Sequence, residues 1–179
     1  MAYTVFESTN MKSTKYAERI LDAISDVDVE NGTFGYLAEI PDGEDVTHKF
    51  VAGAKAGETV VVVDQPAWDE DTSKITNQRK DKFIVKAGTR FRVRVVAKGD
   101  DFAISVDGIT AATQSALKKD VFLTIDATGK LVAKAATTAD AIMEAKVERV
   151  RIQGGTLATA ANNWGYSRKM YEAKVKTLA

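Results

Sequence analysis

Short apolar runs separated by turn residues dominate the chain from residue 27 onward. Apolar and polar residues alternate in VDVENGTFGY and RFRVRVVAK, while ETVVVVD is apolar almost throughout. The series continues with DVTHKFVA, FIVKAG, FAISVDGI, DVFLTIDATGKLVAKA, KVERVRIQ and YSRKMYEAKV. Alternation with a period of two is typical of β-strands. The pattern predicts a mainly β protein, with a single β-barrel or β-sandwich of short antiparallel strands over residues 25–179 and at most one or two short helices.

The dipeptide Asn31-Gly32 predicts the first hairpin. Asn-Gly favours a type I′ turn, which needs a positive φ at both central residues. Valines and aromatic residues would then share one face, while Asp28 and Glu30 would face solvent. Two more hairpins are predicted: one at GDD, between RFRVRVVAK and FAISVDGI, and one at ATGK.

The first 24 residues follow a different pattern. Residues 1–15 have no regular period and predict an extended N-terminal arm, whereas STKYAERILDAISD has helical spacing and predicts one short helix. The apolar side chains of the arm are Tyr3, Val5, Phe6 and Met11. Such a segment is either a disordered terminus or an arm that becomes ordered on another subunit. We favour the ordered arm.

Composition excludes several classes of protein. The 179 residues include no cysteine, so disulfides and thiolate metal sites are impossible. The 25 basic residues equal the 25 acidic ones, which disfavours a protein that coats DNA or an anionic membrane. No apolar run approaches the length of a membrane span, and the N-terminus lacks the apolar core of a signal peptide. We therefore expect synthesis in the cytoplasm.

Two acidic stretches are candidate metal sites. DVDVENGTFGYLA resembles a calcium loop, but its sixth residue is Asn31 where an EF-hand needs glycine, and its twelfth is Leu37 where it needs glutamate. A second group of acids surrounds Trp68: Asp64, Asp69, Glu70 and Asp71. Charge runs usually face water, so we interpret this group as the rim of an exposed loop.

Catalytic motifs are sparse. His48 is the single histidine and lies in a predicted strand; a Ser-His-Asp triad stays open, because its members can be distant in sequence. There is no GxSxG motif and no phosphate-binding glycine loop, and GGTLATAANNWG lacks the lysine that phosphate binding requires. We predict no catalytic residue, no metal and no cofactor.

Arg90, Arg92 and Arg94 share one face of the predicted strand RFRVRVV. A basic stripe can grip a phosphate backbone, but single-strand binders usually place aromatic residues on the same face, and Phe91 is on the other. Neighbouring carboxylates or a protein partner are the alternative, which the zero net charge favours. Nucleic acid is the less favoured partner.

The order of these segments resembles a known family. The chain is similar to the small auxiliary head proteins of tailed bacteriophages, the decoration or cement proteins. The similarity lies in the order of its segments: a polar N-terminal segment, then VDVENGTFGYLAEI, FIVKAGTRFRVRVV, DVFLTIDATGKLVAKA, KVERVRIQGG and YSRKMYEAKV. The resemblance implies a β-rich domain that binds the outside of an icosahedral capsid and reinforces it. It also implies that an N-terminal segment, here residues 1–15, contacts the capsid, and that no residue is catalytic.

The resulting expectation is a structural virion protein on the capsid surface. Its partner is the major capsid protein, with self-association on the lattice as a further possibility. The expected contact residues are Tyr3, Val5, Phe6, Met11, Lys12, Arg90, Arg92 and Arg94. Alternatives are another phage structural module, such as a tail-tube or head-completion protein, and then a nucleic-acid-binding β-barrel. An enzyme ranks last.

Overall fold

A computed structural model describes residues 3–16, 19–67, 80–153 and 168–179, and most of its regular structure is β. The strands are β1 (Phe6–Asn10), β2 (Ile20–Ile24), β3 (Phe34–Leu37), β4 (His48–Ala52), β5 (Val61–Val63), β6 (Arg90–Val95), β7 (Asp101–Ser105), β8 (Phe122–Ile125), β9 (Leu131–Lys134), β10 (Met143–Gln153) and β11 (Arg168–Leu178). The helix α1 (Lys12–Lys15) and 3₁₀ turns at Val106–Gly108 and Ala111–Ala116 complete the described elements. The prediction of a mainly β fold is confirmed.

Five strands close into a barrel in the order β2-β4-β3-β5-β6. The β2–β4 pair is parallel, and the other pairs, including the closing β2–β6 pair, are antiparallel. Phe50 and Phe91 meet edge to face in the interior, with ring centroids 5.7 Å apart. Ala23, Val61 and Val93 fill the space around them and are almost fully buried.

The other six strands form an antiparallel sheet in the order β1-β7-β11-β10-β8-β9. Its central ladder is the long β10–β11 pair, which runs from Met143 opposite Leu178 to Gln153 opposite Arg168. One face of this sheet packs against the outside of the barrel, because barrel residues Phe34 and Val62 belong to the same buried cluster as the sheet residues.

Strand β5 lies between the two cores. Val61 and Val63 point into the barrel, while Val62 belongs to the cluster between barrel and sheet. Side chains alternate along a strand, so a strand that is covered on both faces must be apolar at every position. This explains why VVVV shows no alternation.

Three phenylalanines connect the barrel to the sheet. Phe6 of β1 stacks on Phe102 of β7 with centroids 5.6 Å apart, and it meets Phe34 of β3 edge to face at 6.2 Å. Phe34 and Phe102 are 5.5 Å apart. All three rings are buried, so the first strand is part of the core.

The structure corrects the predicted arm and helix. Strand β1 belongs to the six-stranded sheet and β2 to the barrel, so the chain has no structural boundary at residue 24. The helix is only the single turn Lys12–Lys15. Leu21 and Ala23 face the barrel core with a period of two, and β2 pairs with β6 over five residues. Tertiary pairing therefore overrides the helical spacing of this segment.

The first predicted hairpin is wrong. Gly32 has φ = +74°, but Asn31 is not among the described residues with a positive φ, so the turn is not type I′. The Asn31 side chain instead bonds both the carbonyl and the amide of Gln65, at 2.8 and 2.9 Å. Val29 pairs with Val85, and Val27, predicted to share the apolar face of the hairpin, is 64% exposed.

The other two hairpin predictions had different outcomes. Strands β8 and β9 form the hairpin predicted at ATGK. The GDD turn instead carries the chain from the barrel strand β6 to the sheet strand β7, which do not pair. Asp100 of this turn is fully buried, and its carboxylate accepts hydrogen bonds from the amides of Ala97 and Lys12.

Candidate binding groove at the mouth of the barrel

Five of the expected contact residues lie in the N-terminal segment, and the structure places three of them inside the protein. Val5, Phe6 and Met11 are 1%, 5% and 1% exposed. Tyr3 is half-buried, and its carbonyl accepts a hydrogen bond from Arg168 of β11 at 2.9 Å. Lys12 is exposed, and its ammonium group bonds the carbonyl of Lys98. The segment holds its own domain together, and the side chains of Val5, Phe6 and Met11 are not available to a partner.

The arginine stripe is largely neutralised. Arg90 donates to the carboxylate of Glu44 at 2.9 Å, and this hydrogen bond is the main reason that the pKa of Glu44 is lowered. Arg94 Nε lies 2.5 Å from the carboxylate of Asp64. Arg92 is exposed, and within the described ranges its backbone amide and carbonyl make hydrogen bonds but its side chain makes none. Two of the three guanidinium groups therefore have intramolecular partners, as one of the two interpretations predicted.

The acids of DVDVE do not line a metal loop. Asp28 accepts hydrogen bonds from the Lys86 ammonium at 2.8 Å and the Ala87 amide at 3.0 Å, and both lower its pKa. Glu30 accepts from the amide and hydroxyl of Thr4, at 2.9 and 2.7 Å. These carboxylates hold neighbouring segments of the chain together through hydrogen bonds. In the described part of the chain, no three His, Asp or Glu side chains are close enough to hold a metal ion.

Some sequence candidates fall outside the described residues. These are the acids Asp69, Glu70 and Asp71 beside Trp68, and the stretch GGTLATAANNWG. Of that acidic group, Asp64 is described, and it accepts hydrogen bonds from Ser8 and Arg94.

A large cavity opens at the mouth of the barrel. This barrel-mouth groove has a volume of about 1430 Å³. Its floor is apolar: Leu21, Leu37 and Val95 pack against the barrel core, and Val61 belongs to it. The groove is therefore a surface opening of the barrel core itself.

The groove exists because the barrel wall is incomplete beside β2. The parallel β2–β4 ladder covers only Ala23 opposite His48 and Ile24 opposite Lys49. Strand β4 begins at His48, so Leu21 has no β4 neighbour and faces the groove. The connection from β3 to β4 forms the opposite wall, with Ile40 41% exposed.

The rim of the groove carries both signs of charge. It is lined by Glu39, Asp42, Glu58, Lys49 and Lys55. Lys55 lies over the ring of Tyr36, with its Nζ 5.2 Å from the ring centroid, and also pairs with Glu58. His48 also lines the groove and is half-buried, and its Nδ1 lies 3.3 Å from the carbonyl oxygen of Ala38. An apolar floor with a mixed rim suits a polypeptide better than a polyanion.

Sequence reasoning missed this groove. Its one local signal is Ile40-Pro41, an apolar pair inside the turn-like stretch AEIPDGED. The remaining lining residues belong to separate strands, and only barrel closure brings them together.

The comparisons with known proteins add no family. No protein-family model matches the chain, and searches of curated proteins and of solved structures find no match either. No helix in the described ranges is long and apolar enough to cross a membrane.

Proposed function

We propose that this chain is a structural virion protein that binds the outer surface of a major capsid shell and stabilises it. The barrel-mouth groove is the observation that carries the proposal, because it offers a large, partly apolar surface for another protein. The order of segments that resembles phage decoration proteins supports the capsid as the partner. The protein would be made in the host cytoplasm and reside on the virion surface.

The size of the groove favours a polypeptide as its occupant. Pockets for small ligands typically enclose about 300–1,000 Å³, and this groove encloses about 1430 Å³. Leu21, Leu37 and Tyr36 can receive apolar anchors, while the charged rim can pair with polar side chains of either sign. Many copies on one lattice add avidity, so each contact can be individually modest.

The contact assignment changes with the structure. The N-terminal segment was expected to reach the capsid, but Val5, Phe6 and Met11 are buried within their own domain. We therefore assign the capsid contact to the groove. The role of the N-terminal segment is to join the barrel to the sheet.

Co-sedimentation with empty capsids tests the proposal, and two apolar residues of the same β3–β4 connection provide a matched pair. Ile40 is 41% exposed and lines the groove, while Val46 is 69% exposed and is not among the groove-lining residues. Ile40→Glu should weaken capsid binding because it puts a charge at the apolar wall. Val46→Glu should bind like the wild type.

Both variants should keep the wild-type unfolding midpoint, since both positions are exposed. Equal binding by the wild type and Ile40→Glu would remove the groove from the mechanism. Failure of the wild type to sediment with capsids at any salt concentration would refute the decoration role itself.

A further inference from the structure

A second cavity lies on the other side of β6, between the N-terminal segment and the outside of the barrel. This arginine pocket has a volume of about 340 Å³. Val5, Phe6 and Ile20 form part of its wall, and Lys80, Arg92 and Arg94 bring three cationic side chains to it. It shares no lining residue with the barrel-mouth groove.

Cations outnumber anions among the described residues of the pocket. Asp64 is the single acid of that described lining, and one oxygen of Asp64 already accepts from both Ser8 Oγ at 2.6 Å and Arg94 Nε at 2.5 Å. Arg92 forms no ion pair within the described ranges. The lining residues therefore include three cations and one anion that is already bonded.

Arg94 provides a second, independent observation. Its Nη1 is buried and has no hydrogen-bond partner, although the same guanidinium group bonds Asp64 through Nε. A buried donor without an acceptor is unfavourable and uncommon in folded proteins. The donor belongs to a guanidinium group that lines the pocket, so this group has hydrogen-bonding capacity that Asp64 does not use.

We propose that the arginine pocket binds a small oxyanion, a carboxylate or a phosphate group. Guanidinium groups recognise both through paired N–H donors, and Arg92, Arg94 and Lys80 surround one space. The volume is near the lower limit of about 300 Å³ for ligand pockets, which fits a small molecule. A nucleic-acid backbone fits less well, because the next arginine along the strand, Arg90, is outside the pocket and bonded to Glu44.

Titration calorimetry of the full chain with inorganic phosphate, and separately with succinate, tests this proposal. Each titration is run against sodium chloride of equal ionic strength. We expect saturable binding of phosphate, of succinate or of both, and the stronger ligand identifies the preferred oxyanion. Arg92→Gln and Lys80→Gln should each bind about tenfold more weakly, a loss of about 1.4 kcal/mol.

Arg90→Gln is the matched control, since Arg90 is exposed on the same strand face but does not line the pocket. It should bind the oxyanion like the wild type. Both Arg90 and Arg92 are exposed, so these variants should fold, and an unchanged unfolding midpoint checks this. No binding of either ligand, or equal weakening by Arg90→Gln and Arg92→Gln, would overturn the proposal.

Discussion

Phe6 of β1 stacks on Phe102 of β7, with ring centroids 5.6 Å apart and ring planes inclined by 29°. The contact connects the start of the chain to the strand that follows the barrel. Since Phe6 also touches Phe34 of the barrel, one side chain contacts both halves of the fold. The N-terminal strand is thus a structural element of the domain.

Phe6→Ala should destabilise the protein by about 3–5 kcal/mol, the usual cost of removing a buried phenylalanine. The cavity would open where barrel and sheet meet, so both should unfold in one transition at lower denaturant concentration. Chemical denaturation followed by circular dichroism measures the change. Tyr16→Ala is the control, because Tyr16 is 56% exposed and should cost little.

Deleting residues 1–15 extends this prediction. The deletion removes β1 and the buried side chains of Val5, Phe6 and Met11, so the remaining chain should fail to fold stably. A detachable arm would give the opposite result. A truncated chain with the wild-type unfolding midpoint would show that β1 contributes nothing to the core.

Gly35→Ala should also be strongly destabilising, for a steric reason. A Cβ at this position would lie 2.6 Å from the ring of Phe50 and would overlap the carbonyl oxygen of Val51. Since β3 and β4 pair at this point, the overlap can be relieved only if these two strands of the barrel move apart. The unfolding midpoint should fall well below that of Gly57→Ala.

Gly57 is a suitable comparison because a Cβ there meets nothing within 4 Å. Its φ of +81° makes alanine cost roughly 1–2 kcal/mol through backbone strain alone. If both variants lose the same stability, the close approach at Gly35 is not the cause.

Asp100→Ala tests the turn that joins barrel and sheet. The substitution leaves the amides of Lys12 and Ala97 without their acceptor, at about 1–3 kcal/mol for each buried donor. Asp100→Asn keeps one acceptor oxygen and should lose less. Asp45→Ala, at an exposed position, should match the wild type in thermal unfolding. A midpoint for Asp100→Ala equal to that of Asp45→Ala would contradict the assigned role.

Asp126 should make the β8–β9 hairpin sensitive to acid. Burial tends to raise its pKa, but hydrogen bonds from Thr128, Thr110 and the amide of Lys130 outweigh burial and lower it. A folded-state pKa below the unfolded value of about 3.9 stabilises the fold above that pH. The stabilisation is lost as the pH falls through the folded pKa.

Denaturation midpoints at a series of pH values measure this effect. The denaturation midpoint of Asp126→Asn should fall less at low pH than that of the wild type, because the variant has no carboxyl group to titrate at this position. Thr110→Val removes one hydroxyl donor, so the pKa of Asp126 should rise toward its unfolded value and the total decline should be smaller. An Asp126→Asn profile parallel to that of the wild type would show that another group governs the acid sensitivity.

Local sequence patterns predicted the strands that pair with a neighbour in sequence and the strands in which apolar and polar residues alternate clearly. The β8–β9 hairpin and the positions of β6 and β11 follow from alternation and turn residues alone. Segment Ile20–Ile24 was misassigned because ILDAI fits helical and strand periods alike over five residues. Only the five-residue ladder with β6 decides between the two.

The candidate sites were harder to predict than the elements. The sequence placed Arg90, Arg92 and Arg94 on one strand face and allowed carboxylate partners for them. It could not identify Glu44 and Asp64 as those partners, because both residues lie outside this strand, in connections between other strands. It also could not show that Arg92, unlike Arg90 and Arg94, has no carboxylate partner among the described residues.

The sequence by itself determined the class of the fold, because side-chain alternation and turn chemistry act between near neighbours. It also determined which face of β6 is charged. Tertiary structure alone decided that Val5, Phe6 and Met11 are core residues, that Leu21 lies at an opening and that Arg94 has an unpartnered donor. Burial and pairing of this kind depend on long-range contacts between strands, which no local pattern records.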